Sequence, residues 1–486
     1  MENLNQYTPA KPSRLYLYLV CLVAALGGFL FGFDTAVISG TVKLVKQNFS
    51  LNAINEGWFV SCALLGCIVG VAISGALSDK FGRKIVLILS AILFLVSALG
   101  CLWSHSFSEL IGFRIVGGLG IGVASMVSPL YISEFAPARY RGTMVSLYQL
   151  ALTIGIVIAY FSNAYLLSHP GGNGHDLYVN DDKNGSWRLM LGLGALPAGV
   201  FLLSLLTVPE SPRWLLLKGQ IAEASAILVK IDGDEAADKE INDFNLNNNT
   251  EKKLPLKRLF SREYRRPIII GLLLPFFSQV CGINAVIYYG PKILEQAGFA
   301  LNNALGGQVT IGLVNVVFTF VAILTVDKYG RKPLLYVGVG GAVTALIIIG
   351  VLFYNGYTSG PWILISILIF IACFAFSFGP VCWVIIGEIF PSTVRGKAMS
   401  LATLSLWIGN FLVGQLTPAF LEFLGPAYTF WLFAGCCAPA LILTYKLIPE
   451  TKGLSLEDIE TLWSGHHKNV ALDNDKHKVN PLYLKS

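Results

Sequence analysis

The chain has 486 residues, of which 54% are hydrophobic and 13% charged, with a net charge of +6. Ordinary soluble domains carry about 25% charged residues, so the composition excludes a soluble globular protein and points to an integral membrane protein. The basic residues are dispersed among helix ends, which argues against a nucleic-acid-binding face.

Twelve apolar segments reach the roughly 20 residues that a membrane-crossing helix needs. They cover 15–39, 56–78, 84–104, 109–132, 143–168, 187–208, 266–292, 306–326, 333–354, 361–388, 397–423 and 426–448. Residues 1–14 are polar, with no small-residue cleavage site after a short apolar core, so the first segment reads as an uncleaved anchor.

That first segment, LYLYLVCLVAALGGFLFGFDTAVISG, holds a single charge, Asp34. A carboxylate at bilayer depth costs about 2.5–3.5 kcal/mol on insertion scales, and its default role there is ion or proton handling. Arg114 lies five residues after Glu109 in the fourth segment, as Asp34 lies five before Ser39 in the first. The two segments run in opposite directions, so both charges fall at similar depth in the outer half and are expected to pair. A carboxylate held between burial and a neighbouring cation can exchange a proton as its surroundings change. A static pair fixing the first helix to the fourth is the alternative. All six histidines lie in loops or tails, which leaves proton work to a carboxylate.

The chain repeats itself. Asp79-Lys-Phe-Gly-Arg-Lys84 recurs as Asp327-Lys-Tyr-Gly-Arg-Lys332. Glu134-Phe-Ala-Pro-Ala-Arg-Tyr-Arg-Gly142 recurs loosely as Glu388-Ile-Phe-Pro-Ser-Thr-Val-Arg-Gly396, and Pro209-Glu-Ser-Pro-Arg213 as Pro449-Glu-Thr-Lys-Gly453. Each motif follows the second, fourth or sixth helix of its half. The expected organisation is an N-terminal segment (1–14), a six-helix bundle (15–208), a linker (209–265), a second, parallel six-helix bundle (266–449) and a tail (450–486). Gly82 and Gly330 fit tight turns.

Lys and Arg cluster after even-numbered helices, with Lys43, Lys46 and Lys183 as exceptions, so both termini, the linker and the tail are expected in the cytoplasm. In the linker, 220–243 has apolar residues at helical spacing, predicting one or two short helices, and Asn245 to Thr250 reads as a polar break. In the tail, Ser455-Leu-Glu-Asp458 reads as the start of a short helix, with disorder expected after Ser464. The nine cysteines fall within predicted helices without metal-ligand or disulfide spacing and read as packing residues. No Walker loop, G-x-S-x-G or metal cluster is present, so neither an enzyme, a cofactor, a metal nor an ATP engine is expected. Two parallel halves suit alternating access about a midplane site.

The pair D-K-F-G-R-K and D-K-Y-G-R-K, with P-E-S-P-R-W-L, P-E-T-K-G and G-P-V-C-W, resembles the sugar porter family of the major facilitator superfamily over roughly residues 15–460. The resemblance implies an all-α membrane protein of twelve helices in two six-helix bundles, with short cytoplasmic helices, in the cell membrane. In the family's proton symporters the aspartate of F-G-x-D is the coupling acid and the arginine of R-x-x-G-G its partner, which carries those roles to Asp34 and Arg114. Facilitators of the family typically have Asn in place of Asp34.

A sugar offers hydroxyls that donate and accept and apolar C–H faces, which side-chain amides and aromatic rings match. Such groups lie within the helices at Gln149, Gln279, Asn284, Tyr288, Tyr289, Trp383, Trp407 and Asn410. Gln279, Asn284 and Tyr288 are spaced to crowd one side of the seventh helix. Helix–helix glue is the alternative for each amide. The resemblance extends the set to Phe31, Ile156, Ser278 and Gly379. Three positions depart from the family pattern. Ser278-Gln279 stands for Gln-Gln, Ile156 stands for a second helix-5 glutamine of the xylose symporters, and Leu406 for a glutamine before the helix-11 tryptophan.

Asp79, Arg83, Glu134, Arg141 and Glu210, repeated as Asp327, Arg331, Glu388, Arg395 and Glu450, are expected to form a cytoplasmic network between the halves. The resemblance implies a lock on the outward-facing state. Solvated positive-inside charge explains the basic members but not the repeated acids. Three readings of function stay open: a proton-coupled monosaccharide (pentose or hexose) symporter, a facilitative uniporter, and a transporter-like sensor, for which 450–486 is a short tail. The expected partners are a monosaccharide, H+ and the lipid bilayer, for a chain working as a monomer.

Overall fold

The structure, a computed structural model, describes residues 13–137, 140–168, 185–250, 264–357, 360–390 and 395–452. Among these residues all regular structure is helical, and twelve helical spans are long and apolar enough to cross a membrane. In chain order the spans are Arg14–Phe49, Ala53–Phe81, Arg83–Trp103, Phe107–Phe135, Arg141–Ser168 and Ser186–Thr207, then Arg265–Gln296, Asn303–Tyr329, Arg331–Tyr354, Trp362–Ile389, Ala398–Phe423 and Pro426–Lys446. They are numbered 1 to 12 below.

The internal repeat becomes a repeated packing plan. Span 1 packs on span 5, span 2 on span 4, and span 3 on spans 4 and 6. The second half repeats this as 7 on 11, 8 on 10, and 9 on 10 and 12. Contacts between halves run through spans 2 and 11, 5 and 8, and 1 and 7. Leucine, isoleucine and phenylalanine side chains remain exposed along the spans, among them Leu203, Leu324 and Ile442, as a lipid-facing surface requires.

Between the halves lie Pro212–Leu217, Ile221–Asp232 and Asp234–Thr250, three short helices at the end of the bundle where span 1 begins. The Ser13 N–H donates to the Lys230 carbonyl at 2.9 Å. This is called the linker end, and the opposite one the far end. Asn245 to Thr250, expected as a break, continues a helix. Asparagine lowers helix propensity by only tenths of a kcal/mol per residue, and no Gly or Pro interrupts the run. The helix expected at Ser455 to Asp458 and the segment after Ser464 lie outside the described residues.

Span 1 runs on to Phe49 instead of ending near residue 39, because VKLVKQNF keeps burying Val42 and Val45 while its lysines reach outward. Spans 6, 7 and 10, expected as continuous, are interrupted. The break in span 7 falls at Cys281 and Gly282, which places Cys281 at a helix end. Gly282 has φ +89, and a Cβ there would lie 2.6 Å from the Phe433 ring, so backbone and packing both require glycine. Gly82 and Gly330 also have positive φ, at the turns joining spans 2 to 3 and 8 to 9.

Candidate functional site

The structure brings Asp34 and Arg114 together. Arg114 Nη1 donates to Asp34 Oδ1 at 2.7 Å. The arginine side chain is 3% exposed and the carboxylate 21%, so Arg114 is sealed while Asp34 keeps one open face. Arg114 Nε has no partner among the described residues. Removing either member would strand the other in the bundle, a loss of roughly 3–5 kcal/mol. Charge is therefore tied to charge here.

The amides of span 7 gather around its break. Asn284 Nδ2 donates to Gln279 Oε1 at 2.6 Å, and Gln279 Nε2 to Ser278 Oγ at 3.1 Å. The chain of bonds crosses the interruption, so these side chains converge from two helical pieces and not from one continuous face. Ser278 donates in turn to the Pro275 carbonyl at 2.7 Å, which leaves its hydroxyl engaged on its own helix. Tyr288 donates to Asn410 Oδ1 at 2.9 Å, tying span 7 to span 11. Span 11 comes close at this level, with Gly409 against Gln279. Tyr289 donates to the Gly414 carbonyl at 2.7 Å, an engagement within the second half.

One aromatic contact spans the halves. The rings of Phe31 and Trp407 lie 5.2 Å apart, and the buried Trp407 Nε1 has no partner among the described residues. Gln149, Gly379 and Trp383 are half-buried and Ile156 is buried, as is Leu406. No described hydrogen bond or ring contact joins these five to the amide network. The arrangement offers paired amides, a tyrosine hydroxyl, an unpartnered indole N–H and two aromatic faces, which suit a polyhydroxylated ring better than an ion.

The repeated charges form two clusters at the linker end, each closed within its own half. Arg83 grips Glu134 with Nε at 2.9 Å and Nη2 at 3.0 Å, and meets Asp79 at 3.3 Å. Glu210 accepts the backbone N–H groups of Arg83 and Lys84 at 2.9 and 3.1 Å, and Ser211 donates its hydroxyl to Glu134. Burial pushes the Glu210 carboxyl above its ordinary value, against the pull of the N–H donors and the Arg83 charge. In the second half Arg331 meets Asp327 at 3.0 Å and Glu388 at 2.9 Å, and Glu450 accepts the Arg331 and Lys332 N–H groups at 3.0 and 2.9 Å. The expected network between halves is thus two networks within halves. Arg141 turns away from the acids and donates Nε to the Ser133 carbonyl at 3.1 Å. The Arg395 side chain lies outside the described residues.

Sequence reasoning missed the charges of the far end. Lys43 pairs with Glu295 at 2.6 Å. Glu56, with 1% of its side chain exposed, receives Lys46 at 2.7 Å and Lys292 at 2.5 Å. Lys43, Lys46 and Glu56 belong to spans 1 and 2, and Lys292 and Glu295 to span 7, so two of these contacts bridge the halves. They edge a cavity of about 490 Å³ that reaches Tyr288. Ser61 adds a bridge to Gln415 at 2.6 Å. The signal was present: Lys43 and Lys46 depart from the charge bias of their loop, and such lysines ask for acidic partners.

Comparison with known proteins agrees with this geometry. The family model described as "Sugar (and other) transporter" matches residues 20–463. An arabinose-proton symporter of Bacillus subtilis is 42% identical over 448 residues, covering 92% of this chain and 95% of its own. A D-xylose-proton symporter of Escherichia coli is 37% identical over 489 residues, covering 94% and 97%. The structure of the E. coli xylose transporter XylE in a partially occluded inward open conformation superposes with TM-score 0.80 at 35% identity, covering 91% of this chain and 100% of that one. With twelve spans in two repeated halves and a family match over nearly its whole length, the chain belongs to the sugar transporter family and has the major facilitator fold.

Proposed function

We propose that the chain is a proton-coupled monosaccharide symporter working by alternating access. The observation that carries the coupling is the 2.7 Å pair of Asp34 and Arg114, a carboxylate with one open face inside the first bundle. The relatives named as arabinose-proton and D-xylose-proton symporters support a sugar cargo and a proton as driver. Gln149, Gln279, Asn284, Tyr288 and Asn410 hydrogen-bond the hydroxyls, while Phe31, Trp383 and Trp407 cover the C–H faces. Tyr289, Ser278 and Gly379 shape the wall. The apolar Ile156 and Leu406 reduce the polar lining and set which monosaccharide fits.

The positive bias of Lys80, Arg83, Lys84, Lys328, Arg331 and Lys332 supports a cytoplasmic linker end. The protein then sits in the plasma membrane as a monomer with both termini inside. Ion pairs bridge the halves at the far end and close within the halves at the linker end, which supports an inward-facing state. Rocking outward breaks the Lys43–Glu295 and Lys292–Glu56 bridges. It brings the two linker-end clusters against one another as the lock on that state.

The test is sugar uptake into vesicles with external pH recorded, over a panel of arabinose, xylose, glucose, galactose and inositol. Symport predicts alkalinisation outside with at least one sugar. Sugar uptake without proton movement would mean uniport, and binding without flux a sensor.

A further inference from the structure

At the far end one carboxylate is held by two lysines that reach it from different halves. Glu56 Oε2 accepts from Lys46 Nζ at 2.7 Å, and Oε1 from Lys292 Nζ at 2.5 Å. Lys46 lies near the end of span 1 and Glu56 in the first turn of span 2, ten residues apart within one half. Lys292 lies in the piece of span 7 that follows the break, in the other half.

The corner that joins Lys46 to Glu56 is firmly built. Ser50 closes span 1 in a left-handed conformation, the one non-glycine residue with positive φ among the described residues. Such a conformation persists only where its surroundings hold it. The Leu51 N–H donates to the Lys46 carbonyl at 3.0 Å, and the Asn52 side chain accepts the Asn55 N–H at 2.9 Å, capping span 2. The Leu51 side chain is buried. The Glu56 carboxylate also lies at a helix N-terminus, where the backbone dipoles favour negative charge. Glu56 thus keeps Lys46 and its helix end whichever way the halves rock, and keeps Lys292 only while the far end is closed.

The other charges divide in the same way. Lys292 and Glu295 are three residues apart on one helix, a spacing at which they can pair once their first-half partners leave. Lys43 is already 46% exposed and is left to water. Opening the far end therefore strands no buried charge.

Resting on the rocking motion proposed above, we infer that Lys46 and Lys292 set the balance between the inward- and outward-facing states with opposite signs, Lys292 favouring the closed far end and Lys46 the open one. Lys292 loses its bond on opening, so it stabilises the closed state alone. Lys46 opposes it twice. In the closed state it shares the carboxylate and repels the second ammonium. In the open state it is the counter-charge that keeps Glu56 paired. A gate with Lys292 alone holds its carboxylate more tightly and opens less often.

Lys46→Met and Lys292→Met remove the charge and keep most of the apolar stem. The readout is the distribution of distances between spin labels at Trp103→Cys and Phe423→Cys, exposed far-end positions in opposite halves, in an otherwise cysteine-free background. The short distance reports the closed far end and the long one the open. Lys292→Met is expected to raise the ratio of long to short by about two- to five-fold, and Lys46→Met to lower it by about two-fold or more. Lys46→Arg, which keeps the charge, should return the wild-type ratio. Shifts of the same sign, reversed signs, or a ratio unmoved in either methionine variant overturn the inference. So does Lys46→Arg behaving as Lys46→Met, which would make the effect one of shape. A single distance in the wild type and all variants, with and without the sugars of the panel, sinks the rocking reading itself.

Discussion

Among the polar groups buried in the first half is an ion pair, Asp34 with Arg114, while the second half buries a set of neutral amides and hydroxyls, Ser278 to Gln279 to Asn284 and Tyr288 to Asn410. The two halves share one packing plan, so the difference lies in chemistry and not in architecture. A proton can switch an ion pair on and off, whereas an amide keeps the same donors and acceptor at any physiological pH. On the function proposed above, the first half senses the proton and the second reads hydroxyls. The linker-end clusters differ in the same sense. Arg83 holds Glu134 with two nitrogens, while Arg331 holds Glu388 with one and keeps Nε without a partner among the described residues.

The comparison breaks first at Arg114. Arg114→Ala leaves Asp34 unpaired and is expected to cost roughly 3–5 kcal/mol, seen as a large fall in thermal midpoint in detergent. Adding Asp34→Asn should recover most of it. A single variant as stable as wild type would mean that the pair is not a buried charge pair at all.

The amides come next. Asn284→Ala and Gln279→Ala should each weaken sugar binding by roughly ten- to hundred-fold, since each removes one partner from a buried hydrogen-bonded pair. If thermal stability falls while sugar affinity holds, the amides are helix glue and the division between the halves is lost.

A smaller effect separates the clusters. Arg83→Lys should destabilise by about 1 kcal/mol more than Arg331→Lys, because lysine cannot reproduce a two-nitrogen grip on a carboxylate. Equal losses in paired thermal melts would erase that asymmetry. The smallest effect concerns the far end. Glu56→Gln weakens two lysine contacts and should raise maleimide labelling of a Val42→Cys reporter, in a cysteine-depleted background, by about two- to five-fold. Unchanged labelling would mean that Glu56 does not hold the far end shut.

Much of this was legible in the chain. Length and hydropathy mark the spans, because a lipid-facing helix has no choice but to be apolar along its whole length. The meeting of Asp34 and Arg114 follows from two antiparallel helices and the cost of a lone charge. The interruption at Gly282 is not visible in hydrophobic periodicity, since both pieces of span 7 are apolar. It is a matter of one left-handed residue against one phenylalanine ring. The direction of the Ser278 hydroxyl is a rotamer choice that spacing does not encode. The closing of Arg83 and Arg331 within their own halves, and the Glu56 cluster across them, depend on how far the halves are rocked. One sequence supports both rocked states, so spacing alone cannot select between them.

The most direct measurement is paired sugar and proton flux in vesicles for wild type and Asp34→Asn. The account predicts that the wild type moves protons with its sugar, and that Asp34→Asn loses proton movement and uphill accumulation while retaining sugar counterflow. Proton movement that persists in Asp34→Asn would contradict it.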